Sequence, residues 1–179
     1  MQSFLLSALA RDSTYLNSTL EDIVTDNCAK FLAKKQLTVV FIESATAGYL
    51  AHRFSMSPYS GDVLMGGLVC YDVSIKKNVL NVSGQLINKF TPESLEVTQE
   101  LVNKSKTMFD ADLHVACTGL LKHGGSETEE KPVGTFFYCI SYKGEVYDFR
   151  SLCNGLPEQK LRSINSLICK SIIDVVNNH

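Results

Sequence analysis

The sequence has no C-x-x-C pair and no cysteine–histidine spacing of the zinc-binding kind. That excludes the common structural zinc sites and thioredoxin-like redox motifs, although six cysteines are present: Cys28, Cys70, Cys117, Cys139, Cys153 and Cys169. Most sit inside apolar runs and read as small buried thiols in a reducing compartment. No apolar run approaches the ~20 residues of a membrane-spanning helix. The opening MQSFLLSALA has a short apolar core and an A-x-A-like end but lacks the basic segment that a secretory signal requires. The expectation is a soluble, cytoplasmic protein with no membrane partner. A basic excess is lacking too: 17 basic side chains stand against 19 acidic ones, for a formal net charge of -2. Nucleic acid is therefore not an expected partner, while a small local anion site stays open. No repeat, linker or low-complexity tract interrupts the chain. Neither a Walker loop nor a G-x-G-x-x-G fingerprint occurs, and His52, His114, His123 and His179 fall in no serine-triad motif.

What is there is a chain of 179 residues, enough for a single domain, 1–179, with residues 1–18 expected as an irregular leader. A domain of this length buries roughly 70% of its unfolded surface and needs no staples. Apolar residues recur at helical spacing over Thr19 to Lys35. Thr38 to Ile42 is short and uniformly apolar, as in a strand covered on both faces. Thr46 to Ser55 reads as helix and Ser57 to Gly61 as a turn. Val63 to Tyr71 reads as a second strand, in which Gly66 and Gly67 mark a bulge or a close backbone approach. A short helix over Ser74 to Leu80 follows. Another starts at Thr91 and Pro92, with Thr91 as cap and Pro92 in the first turn. Leu113 to Cys117 is a third strand. Val133 to Ser141 and Glu145 to Leu152 flank a hairpin turn, and Leu161 to Val176 closes the chain as a helix. This alternation predicts an α/β fold, a three-layer α/β/α sandwich with a mixed, mostly parallel sheet.

In such sheets ligands bind beyond the carboxyl ends of the strands. Ser44 and Thr46 stand at the end of the first strand and Thr118 at the end of the third. A serine after a strand is usually a cap or a turn hydroxyl, and it reacts only when a base takes its proton. His114 stands at the wrong end of a strand for that task, while His123, in a loop, stays open. A lysine whose pKa is lowered by burial can replace histidine as base. The stretch YDVSIKK offers Lys76 and Lys77 just after Tyr71, although such a group is more often an exposed rim. Glu43 can act as base, cap or ion-pair partner. The loop TGLLKHGGSETEEKPVGT is rich in glycine and backbone donors, weak evidence for phosphate binding by itself.

Four segments occur in one order: ESATAGYLAHRF, GGLVCYDVSIKKNVLNV, DLHVACTG and KPVGTFFY. Together they resemble the C-terminal domain of the competence/damage-inducible protein CinA, whose pattern runs E-S-C-T-G-G, G-G-x-x-x-Y-x-x-x-x-K, T-G-I-A-G-P-x-G-G and K-P-V-G-T. The likeness covers Thr38 to the C-terminus. It implies a nicotinamide-nucleotide amidase that converts nicotinamide mononucleotide to nicotinate mononucleotide and ammonia, with no metal and no cofactor, commonly as a homo-oligomer. By resemblance, Ser44 is the nucleophile and Lys76 the base, with Tyr71 beside them. Glu43, Thr46, Gly48, Ser60, Thr118, Gly119, Arg150 and Arg162 are the matching substrate-binding candidates, and backbone N–H groups from Thr46 to Gly48 are candidates for the oxyanion and phosphate.

Departures from the pattern are equally specific. Ala45 and Ala47 replace a cysteine and a glycine, and Gly61 replaces a family serine. Lysine and histidine intrude into the glycine loop at Lys122 and His123, and the G-D-R motif is absent from NGLPEQKLR. The alternative reading is therefore a catalytically impaired relative that serves as a nucleotide-binding or interaction module; a hydrolase of an unrelated amide is a third.

Overall fold

A computed structural model describes residues 20–179. The expected leader, residues 1–18, and Thr19, the expected helix start, lie outside that range. The elements run α1 (Leu20–Lys35), β1 (Val39–Glu43), α2 (Tyr49–Ser55), α3 (Ser60–Val63), β2 (Leu64–Val69), α4 (Val73–Asn78), α5 (Gly84–Phe90), α6 (Leu95–Ser105), β3 (Leu113–Gly119), β4 (Thr135–Tyr142), β5 (Glu145–Leu152) and α7 (Pro157–Asn177).

Strand alternation divides the core in two. On one face of the sheet, Val39, Phe41, Leu113 and Val115 pack with Cys28 and Leu32 of α1, Leu50 and Phe54 of α2, and Ile164 to Val176 of α7. On the other, Val40, Ile42 and Ala116 pack with Leu80, Ile87, Leu101 and Val102 from the α4–α6 side. The result is a three-layer α/β/α sandwich. All six cysteines are free and buried.

The sheet order is β2-β1-β3-β4-β5. β1 pairs in parallel with β2 and β3, whereas β3–β4 and β4–β5 are antiparallel. The sheet is mixed but not mostly parallel, because the terminal hairpin adds as many antiparallel seams as the two crossovers add parallel ones. Lys143 (φ 48°) and Gly144 (φ 87°) make the hairpin turn; positive φ at both central residues gives the turn whose twist matches the strands.

Both expectations for the glycine pair in β2 hold. The register with β1 skips Met65 between Val39 and Val40. A Cβ at Gly67 would lie 3.0 Å from Ala51 Cβ and 3.2 Å from the Phe41 carbonyl, so this strand passes too close to its neighbours for a side chain. Two helix starts differ from expectation. The segment from Ser44 to Gly48 is a series of turns, and α2 begins only at Tyr49. Thr91 does not cap α6: it ends α5, which the sequence reading lacked, with φ 71°, and Ser94 caps α6 by accepting the Val97 N–H at 3.3 Å.

Candidate active site

β1 delivers Glu43 to the α2 side of the sheet, fully buried. Its carboxylate accepts three backbone N–H groups: Gly48 and Leu50 at 3.0 Å on Oε2, and Ala51 at 2.9 Å on Oε1. These are donors that the first turn of α2 cannot satisfy internally, and a carboxylate there also complements the helix dipole. Glu43 is therefore a clamp on the turn that carries Ser44, and it does not line the pocket. The main chain continues the pairing past the end of β1: Ser44 N–H donates to the Cys117 carbonyl at 2.9 Å, and Cys70 N–H to the Glu43 carbonyl at 2.8 Å. Cys70 is thereby held beside the start of the Ser44 turn.

Lys76 approaches from β2. Asp72 caps α4 by accepting the Ser74 N–H at 2.7 Å, and Lys76 lies one turn in, 1% exposed. Its Nζ lies 2.9 Å from Ser44 Oγ, 2.5 Å from the Cys70 carbonyl and 3.2 Å from the Tyr71 carbonyl. Burial lowers the Lys76 pKa from its ordinary value, and the charges of Cys70, Glu93 and Asp72 oppose that shift only in part. A neutral amine has two N–H donors and one lone pair. The two carbonyls can take the donors, which leaves the lone pair for the Ser44 hydroxyl proton.

A cavity of about 210 Å³ opens over the pair, lined by Ser44, Ala45, Tyr71, Glu93 and the loop from Gly119 to Gly125. Gly119 tolerates no side chain, since a Cβ would come within 2.6 Å of the Phe136 ring and 2.7 Å of the Thr135 carbonyl. The loop can therefore cross the end of β4 at this point only as bare backbone.

Of the expected site residues, Ser44, Lys76, Tyr71 and Gly119 come together, and His123 lines the same cavity. Tyr71 is 58% exposed, and it meets Lys76 through its carbonyl rather than its phenol. Thr118 points to the other face of the sheet, where its hydroxyl lies 2.8 Å from Thr98 Oγ1. The Thr98 proton goes to the Ser94 carbonyl at 2.7 Å, so Thr118 is the donor, in the core and off the pocket wall. Gly48 N–H is taken by Glu43 and Ala47 N–H by the Ser44 carbonyl at 3.1 Å, so neither is free for an oxyanion. The N–H groups of Ala45 and Thr46 have no partner among the described residues, nor does the buried Thr46 hydroxyl. Ser60 heads α3, away from the cavity. Arg150 bonds the Glu130 carbonyl and lies over the Phe137 ring at 5.7 Å, while Arg162 pairs with Glu158 at 2.5 Å along α7. Neither arginine lines the cavity, so neither replaces the missing G-D-R arginine there.

Sequence reasoning missed Glu93 and the Cys70 carbonyl. Glu93 lies in the connection before α6, in the stretch Thr91 to Ser94 that reads as a helix start and carries no signal of a pocket. Among the described residues no cluster of three or more His, Cys, Asp or Glu side chains is placed to hold a metal, and no helix is long and apolar enough to cross a membrane.

The fold and the buried Ser44–Lys76 contact define the class: an α/β/α domain with a serine–lysine pair at the carboxyl end of its sheet. Residues 21–175 match the family described as the CinA C-terminal domain, and the chain belongs to that family. A CinA-like protein of Pseudothermotoga lettingae is 35% identical over 127 residues, 71% of this chain but 30% of that protein. The chain thus spans about a third of the length of such relatives. Protein MG115 of Mycoplasma genitalium is 34% identical over 121 residues, 68% of this chain and 76% of that one. In three dimensions the chain superposes on a CinA superfamily protein of Klebsiella pneumoniae with TM-score 0.84 at 20% identity, covering 90% of this chain and 100% of the other. That last likeness establishes the fold.

Proposed function

We propose that this chain is an amidohydrolase that cleaves the carboxamide of a pyridine nucleotide, nicotinamide mononucleotide, to the carboxylate and ammonia. The observation that carries the reading is the buried 2.9 Å contact between Ser44 Oγ and Lys76 Nζ, with two carbonyls placed to take both donors of a neutral amine. Neutral Lys76 takes the hydroxyl proton as Ser44 Oγ bonds to the amide carbon. The Ala45 and Thr46 N–H groups are the free donors nearest in sequence to the developing oxyanion, in place of the 46–48 set. Protonated Lys76 then gives its proton to the departing nitrogen, the C–N bond breaks, and ammonia leaves an acyl ester on Ser44. Water, deprotonated by the same amine, attacks that ester and restores the serine. Glu43 acts as a positioning residue, fixing the turn on which Ser44 and both free N–H groups sit.

A second reading, a nucleotide-binding module without turnover, is favoured by one observation: no arginine lines the cavity, and its basic side chains are Lys122 and His123 on the loop together with Lys76 beneath Ser44. Ammonia release from nicotinamide mononucleotide by wild type, Ser44→Ala and Lys76→Ala separates the two. Turnover that both substitutions abolish supports the amidase. Nucleotide binding without turnover in the wild type supports the module.

A further inference from the structure

The pocket wall carries one acidic side chain that the hydrolytic steps do not use. Glu93 lines the cavity with Ser44 and the 119–125 loop. Its Oε2 accepts the Ser126 hydroxyl at 2.6 Å. Its Oε1 has no hydrogen bond or ion pair among the described residues. The nearby Lys131 ammonium spends its three donors on neutral oxygens: Thr91 Oγ1 at 2.8 Å, the Glu93 carbonyl at 2.9 Å and Ser126 Oγ at 2.7 Å. The carboxylate makes no direct ion pair among the described residues, although its charge acts on Lys76 and Lys131 from a distance, and one of its oxygens is left for whatever fills the cavity. A partly buried carboxylate in that condition favours a positively charged neighbour.

We propose that Glu93 is a specificity-determining residue that reads positive charge on the substrate. The site takes an amide borne by a cationic, quaternary-nitrogen ring and discriminates against the same amide on a neutral ring. The inference rests on the amidase reading. A pyridinium spreads its charge over the ring, so one carboxylate on the pocket wall can favour it without direct contact to the nitrogen. A dihydropyridine with the same ribose and phosphate offers no such charge. Ser126 and Lys131 hold the carboxylate in place and tie the glycine loop to the start of α6.

The test measures ammonia release from nicotinamide mononucleotide and from its reduced, dihydropyridine form, with calorimetric Kd values for both, in wild type, Glu93→Gln and Ser126→Ala. Glu93→Gln is expected to raise KM and Kd for the oxidised nucleotide roughly tenfold, the size of one partly screened ion pair. The loss should fall on the oxidised nucleotide, with a much smaller change in Kd for the reduced form. Ser126→Ala loosens the loop but keeps the charge, so it should weaken both ligands equally and preserve the preference. Equal losses for both ligands in Glu93→Gln would reduce Glu93 to a loop tether and overturn the proposal. So would a wild type that binds the two forms equally, or binds neither. If wild type binds but turns over neither form, the amidase reading fails alone. The Kd ratio then decides: a preference abolished by Glu93→Gln upholds the role of Glu93, and one that survives refutes it.

Discussion

At the carboxyl end of β1, Ser44 Oγ lies 2.9 Å from Lys76 Nζ; at the other end of the same sheet, Ser105 Oγ lies 2.8 Å from His114 Nδ1. Both pairs are buried and join a hydroxyl to a nitrogen base. On residue types alone the second resembles a catalytic dyad more than the first. What differs is where the serine proton goes. Ser105, in the last turn of α6, donates it to the Val102 carbonyl at 2.7 Å, so its oxygen must accept from His114 Nδ1–H, and no lone pair of the ring faces it. Ser44 has no carbonyl of its own to satisfy, and Lys76 has two. The surroundings differ as well: Ser44 lines its cavity, whereas Ser105 is absent from the wall of the cavity of about 180 Å³ beside His114. Burial lowers the His114 pKa below its ordinary 6.5, opposed in part by a hydrogen bond to the Ala111 backbone. The placement of the carbonyls, rather than the residue pair, separates a packing contact from one that a neutral Lys76 can activate.

The strongest way to break that contrast is Lys76→Met, which fills the same volume without a base. Ammonia release should fall by about 10³-fold or more, as should that of Ser44→Ala, while the fold survives, because an apolar group replaces a buried amine. A fall of less than tenfold would place the base elsewhere. The pH profile sharpens the same point. Because the active form of Lys76 is neutral, kcat/KM should climb about tenfold per pH unit below the lowered Lys76 pKa and level off above it. The unfolded chain holds that proton up to the ordinary value of 10.5. Stability should therefore rise with pH between the lowered folded value and 10.5, and Lys76→Met should flatten that rise in denaturant midpoints. Next in size is Glu43→Ala, which strands three N–H groups in the interior. A loss of about 2–4 kcal/mol by urea denaturation is expected, along with reduced activity because the Ser44 turn loses its clamp. Ser105→Ala should cost about 1 kcal/mol and leave kcat/KM within about twofold of wild type; a large kinetic effect would erase the distinction between the two ends. Smallest is Ala47→Gly. Ala47 holds φ 50°, a left-handed conformation that costs a side-chain-bearing residue about 1 kcal/mol. The glycine found in the family pattern should raise the thermal midpoint slightly.

The strands, their order of appearance and the three layers were legible because β1 and β3 are uniformly apolar and α6 and α7 are periodic. The Ser44–Lys76 pairing was legible only through its likeness to the family pattern, since nothing in a spacing of 32 residues says that two side chains meet. Of the roles open to Glu43 in the sequence, the structure shows the cap, which depends on N–H groups that become available only when the turn from Ser44 to Gly48 postpones the helix to Tyr49. Thr118 stands off the cavity for a simpler reason. It is one residue past Cys117, and strand alternation turns it towards Thr98 and α6. Arg150 and Arg162 were candidates by default, as the arginines nearest a missing motif; Arg150 is taken up by the Glu130 carbonyl and the Phe137 ring of β4, and Arg162 by Glu158 on α7. Glu93 was hidden in a segment that reads as a helix start, and only the return of the 119–131 loop over α6 makes it part of a pocket.

The Ser44 hydroxyl and the Lys76 amine reach each other across the parallel seam between β1 and β2, whose strands are separated in sequence by α2 and α3. A chain caught half-assembled, during synthesis or after damage, carries an ordinary serine and an ordinary solvated lysine. The pairing of these two groups is thus a property of the assembled sheet and of neither segment alone.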